Sequence, residues 1–158
     1  MRLSRRITGL NAGGSDGWNL YYRARAMAAA GDPVTELTIG ELDAPTPAAI
    51  LEAMHASARA GHTGYAPVPG VPALREAVAE RVTRRTGVPT RAGNVLITPG
   101  GQAGLFAAQM TVCDPGDRAL HVDPFYATYP GTLRAAGAEP ERQIARPEEG
   151  FRPRGSDV

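Results

Sequence analysis

Thr98-Pro-Gly-Gly-Gln-Ala-Gly-Leu105 follows the apolar run Val95-Leu96-Ile97 and opens a segment of helical apolar periodicity. Apolar run, glycine pair and periodic segment together predict strand, tight turn and helix. At such a junction the first-turn N–H groups have no intrahelical carbonyl to meet, and the helix dipole adds partial positive charge. The glycines let a bound group approach the backbone, and a phosphate suits that environment. The same residues also serve a plainer purpose, a turn between strand and helix, and a lone glycine-rich turn does not choose between the two.

Working outward, the downstream chain repeats the alternation. The helix predicted from Gln102 to Val112 turns Leu105 and Phe106 inward, and Asp114-Pro-Gly-Asp117 is a turn by composition, capped by its two aspartates. Arg118 to Val122 is the next strand, Asp123-Pro-Phe-Tyr-Ala-Thr-Tyr129 leads into a helix ending at Gly137, and Gln143-Ile-Ala145 is a further strand. Ser156 or Asp157 would cap one more helix.

Upstream, residues 1–17 show little periodicity and read as an extended arm with a loop at Asn11-Ala-Gly-Gly-Ser-Asp-Gly17. Trp18 to Ala30 is helical with Gly31 as its stop, and Val34 to Ile39 is a short strand. Thr46-Pro47 opens a helix running to about Ala60 that would bury Ile50, Leu51 and Met54. After the loop Gly61 to Gly70, Leu74, Val78 and Val82 define the inner face of a helix from Val71 to Thr86. Strands alternating with helices of this length imply βαβ units and a parallel sheet. So thin a sheet leaves faces and an edge without partners, which suggests a truncated protein, poorly soluble or partly molten by itself.

The chain has 158 residues, enough for one domain of ordinary size. Its 17 basic and 16 acidic residues give a net charge of +1, and no reason to expect nucleic acid or an anionic membrane. Every basic residue except the three histidines is an arginine; there is no lysine. The single cysteine, Cys113, rules out an internal disulfide and suits a reducing, cytoplasmic location. No secretory signal opens the chain, and no apolar run approaches the roughly 18 residues of a membrane span.

Four separated motifs, in order, resemble the N-terminal part of the class I/II aminotransferases, the fold-type I enzymes that use pyridoxal 5'-phosphate (PLP). They are Leu37-Thr-Ile-Gly-Glu-Leu-Asp-Ala-Pro-Thr-Pro47; Gly64-Tyr-Ala-Pro-Val-Pro-Gly-Val-Pro-Ala-Leu-Arg-Glu-Ala77; Val95 to Leu105; and Asp114-Pro-Gly-Asp117 followed by Asp123 to Tyr129. The resemblance implies a three-layer α/β/α PLP-transferase fold, truncated after its first few strands. Residues 1–45 would be the N-terminal arm and the start of the small domain, and 46–158 the N-terminal half of the large domain.

The resemblance also assigns roles. Gly100, Gly101 and Gln102 would hold the PLP phosphate, and Tyr126 would stack on the pyridine ring. Tyr65 would reach across a homodimer to the other subunit's phosphate. Gly40 would lie beside the substrate carboxylate, although the family's Gly-Glu-Pro-Asp here reads Gly-Glu-Leu-Asp, so Leu42 changes that loop. His55 and His62 read as solvent-facing, His121 as a core or cofactor-side neighbour, and Arg75 as an exposed or dimer-contact charge.

In that family a lysine forms the Schiff base with PLP and moves the proton, an aspartate pairs with the pyridinium nitrogen, and arginines hold carboxylates. All of these fall downstream of residue 158. Arginine cannot replace the lysine because it stays protonated. The implied activity is transfer of an amino group from an amino acid to a 2-oxo acid, with this polypeptide inactive alone and without a catalytic residue of its own.

Carbon–sulfur lyases and cyclopropane-forming synthases would share these motifs, and a remnant serving only PLP binding or dimerisation is a further alternative. A dinucleotide-dependent oxidoreductase fits less well. The glycine positions of its fingerprint fall here on Pro99, Gly101 and Gly104, which loses the tight-turn glycine.

Overall fold

The computed structural model describes residues 2–14 and 17–157. Ser15 and Asp16 of the first loop lie outside the described residues. The helices are α1 (Arg5–Thr8), α2 (Trp18–Ala29), α3 (Ala48–Arg59), α4 (Pro72–Thr86), α5 (Gly101–Val112) and α6 (Tyr129–Ala136). The strands are β1 (Arg118–Asp123) and β2 (Glu139–Ile144). The chain forms two units, one joining the residues up to Ile39 with those from Gln102, the other Gly40–Gly101.

In the first unit, β1 and β2 pair in parallel from Arg118↔Glu139 to Asp123↔Ile144, with α6 as their connection. Two parallel strands need such a crossover, because a tight turn can join only antiparallel ones. Leu133 and Ala136 of α6 are buried together with Ala138 and Ala145, which flank β2. Arg118 pairs with Glu141 and Arg142 with Asp123 across the strands, both partly solvated and so worth little to stability. The Asp114–Asp117 turn closes as expected: Asp117 N–H donates to the Asp114 carbonyl, and the Asp114 N–H to the Asp117 carboxylate at 2.8 Å.

Several expectations are corrected here. The arm is not wholly extended: Ser4 Oγ accepts the Ile7 N–H at 3.3 Å and caps the short helix α1. Val34 to Ile39 is not a strand, because no neighbouring strand pairs with it among the described residues, and Glu36 instead pairs with Arg25 of α2 at 3.1 Å. The strand near residue 143 begins earlier, at Glu139, since its register is set by β1 and not by its own apolar residues. At the end of the described chain, a single 3₁₀ turn, Gly155–Asp157, stands where a helix start was expected.

The second unit departs further. Pro47, not Thr46, is the residue before α3, and no side chain caps that helix. Ile50, Leu51 and Met54 are exposed, because nothing among the described residues packs on that face. The inner face of α4 is rotated by one position from the apolar reading: Leu74 and Val82 are exposed, while Arg75, Val78, Ala79 and Thr83 are covered. Hydrogen bonds explain the rotation. Thr83 Oγ1 accepts the Thr90 N–H at 2.9 Å, and the Arg75 guanidinium reaches the carbonyls of residues 92 and 95. Val95 to Ile97 likewise forms no strand ladder among the described residues; the Ile97 N–H donates to the Pro69 carbonyl at 3.0 Å.

Candidate functional site

The turn before α5 is closed from both sides by Thr98. Its carbonyl accepts the Gly100 N–H at 2.8 Å, and its hydroxyl donates to the Gly100 carbonyl at 2.9 Å. Gly100 has φ +86°, in the left-handed region that favours glycine. Among the described residues, no heavy atom beyond the adjoining backbone and chain neighbours lies within 4 Å of where a Cβ would stand at Gly100 or Gly101. Because the Gly100 amide is already engaged, the donors left for an anion are those of the first turn of α5, from Gly101 and Gln102 onward. Gly100 gives the turn its shape.

Tyr126 stands in the loop between β1 and α6, following the cis Asp123–Pro124 peptide. It is exposed, and its ring lies 5.9 Å from that of Tyr129 at a tilt of 52°. Gln102 Nε2 donates to Thr128 Oγ1 at 2.5 Å, so the first turn of α5 is tied to the loop that carries Tyr126. His121 of β1 meets the Phe125 ring edge-to-face at 4.7 Å.

Tyr126, His121 and Phe125 share with Leu105, Gln109 and Tyr129 the walls of a concavity of about 460 Å³. Gln109 Oε1, His121 Nδ1 and Gln102 Oε1 are buried without a partner in this structure. A buried polar atom left unpaired costs on the order of 1–3 kcal/mol, and two of the three, on Gln109 and His121, belong to residues that line the concavity.

Elsewhere, Tyr65 is fully exposed, and apart from its chain neighbours no described residue comes within 4 Å of a Cβ built on Gly40. His55 and His62 face solvent as expected, and Cys113 follows the end of α5 half-buried. Of the two expectations for Arg75, an exposed or a dimer-contact charge, the first does not hold. The side chain is part-buried, with Nε donating to the Val95 carbonyl at 2.9 Å and Nη2 to the Ala92 carbonyl at 2.5 Å. Apolar periodicity misses such a residue because a guanidinium can face inward when it finds carbonyls there. Thr128 was also missed, and no local pattern points to it. Among the described residues no cluster of histidine, cysteine or carboxylate side chains could hold a metal ion, and no helix is long and apolar enough to cross a membrane.

Comparison with known proteins agrees with the motifs. Residues 32–154 match the family model described as aminotransferase class I and II. The chain therefore belongs to that family, whose enzymes are PLP-dependent. It is similar to arginine–pyruvate transaminase AruH of Pseudomonas aeruginosa, with 37% identity over 145 residues, covering 92% of this chain and 37% of that protein. It is also similar to the aspartate/prephenate aminotransferase of Thermus thermophilus, 34% identical over 151 residues, covering 96% of this chain and 39% of the relative.

Among solved structures, the Thermus thermophilus aspartate aminotransferase with maleate superimposes with a TM-score of 0.92 at 34% identity, covering all of this chain and 41% of that one. The fold is thus that of a fold-type I PLP transferase, as the motifs implied, and the dinucleotide reading falls away. The chain spans about two fifths of the length of these relatives.

Proposed function

We propose that the whole protein is a PLP-dependent transaminase that moves an amino group from an amino acid to a 2-oxo acid. The observation that carries this reading is the head of α5, where an unobstructed glycine turn leads into first-turn amides with no intrahelical acceptor. That environment fits a phosphate. The exposed ring of Tyr126 fits a flat heteroaromatic partner, and the Gln102–Thr128 bond holds its loop to the same helix turn. The relatives named above, all transaminases, supply the reaction class.

In this reading Gly101 and Gln102 donate backbone N–H groups to the phosphate, while Gly100 gives the turn its shape. Tyr126 orients the pyridine ring, and Gly40 leaves backbone open for a substrate carboxylate. Tyr65, which is fully exposed, serves the other subunit of a homodimer. When bound, PLP supplies the electron sink that such amino-group chemistry requires. Residues 1–45 are then the arm and the start of the small domain, and 46–158 half of the large one. The single cysteine supports a cytoplasmic location.

Affinity for the coenzyme tests the two halves of the cradle separately. In the whole protein Tyr126→Ala should weaken PLP binding by roughly threefold to tenfold, the range of an aromatic contact, and Tyr126→Phe should leave it nearly unchanged. Equal losses in both variants would mean that the hydroxyl, not the ring face, matters. Gly100→Ala forces an L-residue into the left-handed region at a cost of about 1–2 kcal/mol, so PLP binding should fall roughly tenfold as the turn relaxes. Equilibrium dialysis against PLP reads both effects, and unchanged affinity in Gly100→Ala would remove this turn from the site.

A further inference from the structure

We propose that Arg75 is a positioning residue for the phosphate turn, an inference that rests on the reading just given. Its guanidinium donates to two carbonyls, Ala92 at 2.5 Å and Val95 at 2.9 Å. A planar fork that spans two acceptors fixes direction as well as distance, which a single point charge does not. Three residues beyond Val95 the chain enters the Thr98–Gly100 turn. Arg75 thus holds the start of the segment that leads into the turn.

A second contact locks the same segment from the other side. Ile97 N–H donates to the Pro69 carbonyl at 3.0 Å. At Gly70, with φ +103°, a Cβ would lie 2.5 Å from Ile97 Cγ1 and 3.7 Å from Arg75 Cγ. The loop that ends at Gly70, the stem of Arg75 and the side chain of Ile97 therefore meet where only a glycine fits. That loop also carries Tyr65. Arg75 touches no residue assigned to coenzyme or substrate. Its effect passes through the backbone to amides that must converge on an anion to within about 0.5 Å.

The test compares two ligands on the whole protein stripped of coenzyme: PLP, and pyridoxal, which has the same ring and no phosphate. Arg75→Ala should cut the preference for PLP over pyridoxal about tenfold while pyridoxal affinity changes by less than about twofold, because only the phosphate amides are displaced. Guanidinium added to Arg75→Ala should restore the preference and ammonium should not, since only the former presents the planar fork.

An unchanged preference in Arg75→Ala overturns the proposal, as does an equal fall in both affinities, which marks a general loss of structure. Should Arg75→Ala fail to fold, Gly70→Ala decides the matter. It displaces Ile97 without altering Arg75 and should show the same selective loss; retention of the wild-type preference there counts against the proposal. A wild-type protein with no preference for PLP over pyridoxal would instead remove the phosphate reading on which the inference rests.

Discussion

Mixed with PLP and any pair of amino acid and 2-oxo acid, the 158-residue polypeptide is expected to show no turnover, and borohydride should fix no coenzyme to any side chain. The reason is chemical and complete. The chain has no lysine, and its only primary amine is the terminal α-amino group. Arginine keeps its proton throughout the accessible pH range and cannot act as the nucleophile. What remains has no side-chain amine that could bond to the coenzyme. Intact mass after reduction, followed by peptide mapping, checks this directly. A coenzyme adduct on an internal residue, or measurable transamination, would overturn it.

The second large effect concerns stability. The chain exposes 12809 Å², whereas a folded monomer of its mass exposes roughly 7,600 Å². Among the described residues the buried apolar ones are one leucine and four alanines: Leu133, Ala79, Ala136, Ala138 and Ala145. Large side chains such as Leu37 (89% exposed), Leu42 (81%) and Val68 (94%) remain in water. Apolar burial on this scale cannot offset the conformational entropy of ordering the chain. The polypeptide by itself should therefore melt broadly, bind a hydrophobic dye before heating, and show weak near-ultraviolet dichroism. A sharp, cooperative calorimetric transition would contradict this.

The legible and illegible parts of the structure separate along one line. Local chemistry was legible: glycines mark the ends of α4 and α6, the Asp114–Asp117 turn closes as its composition requires, and α2, α4 and α5 fall within a residue or two of their expected ends. The family could be read from four motifs in order, and the match over residues 32–154 agrees with it. What failed were statements about partners. Val34 to Ile39 and Val95 to Ile97 have strand-like composition, but a strand exists only when a second one pairs with it. Ile50, Leu51 and Met54 have the spacing of a buried face, but burial needs something to cover it.

Arg75 and Thr128 show the same division within the candidate site. Each is a polar residue whose partner lies 17 or more positions away, at Ala92 and Val95 for the arginine and at Gln102 for the threonine. The sequence by itself determined the family, the glycine turn at the head of α5 and the absence of a lysine, because these depend only on which residues occur and in what order. The tertiary structure alone decided that a guanidinium anchors the segment leading to the turn, and that Gln102 is tied to Thr128. Such contacts depend on which distant groups the folded chain brings within hydrogen-bonding distance, and neighbours along the chain do not record that.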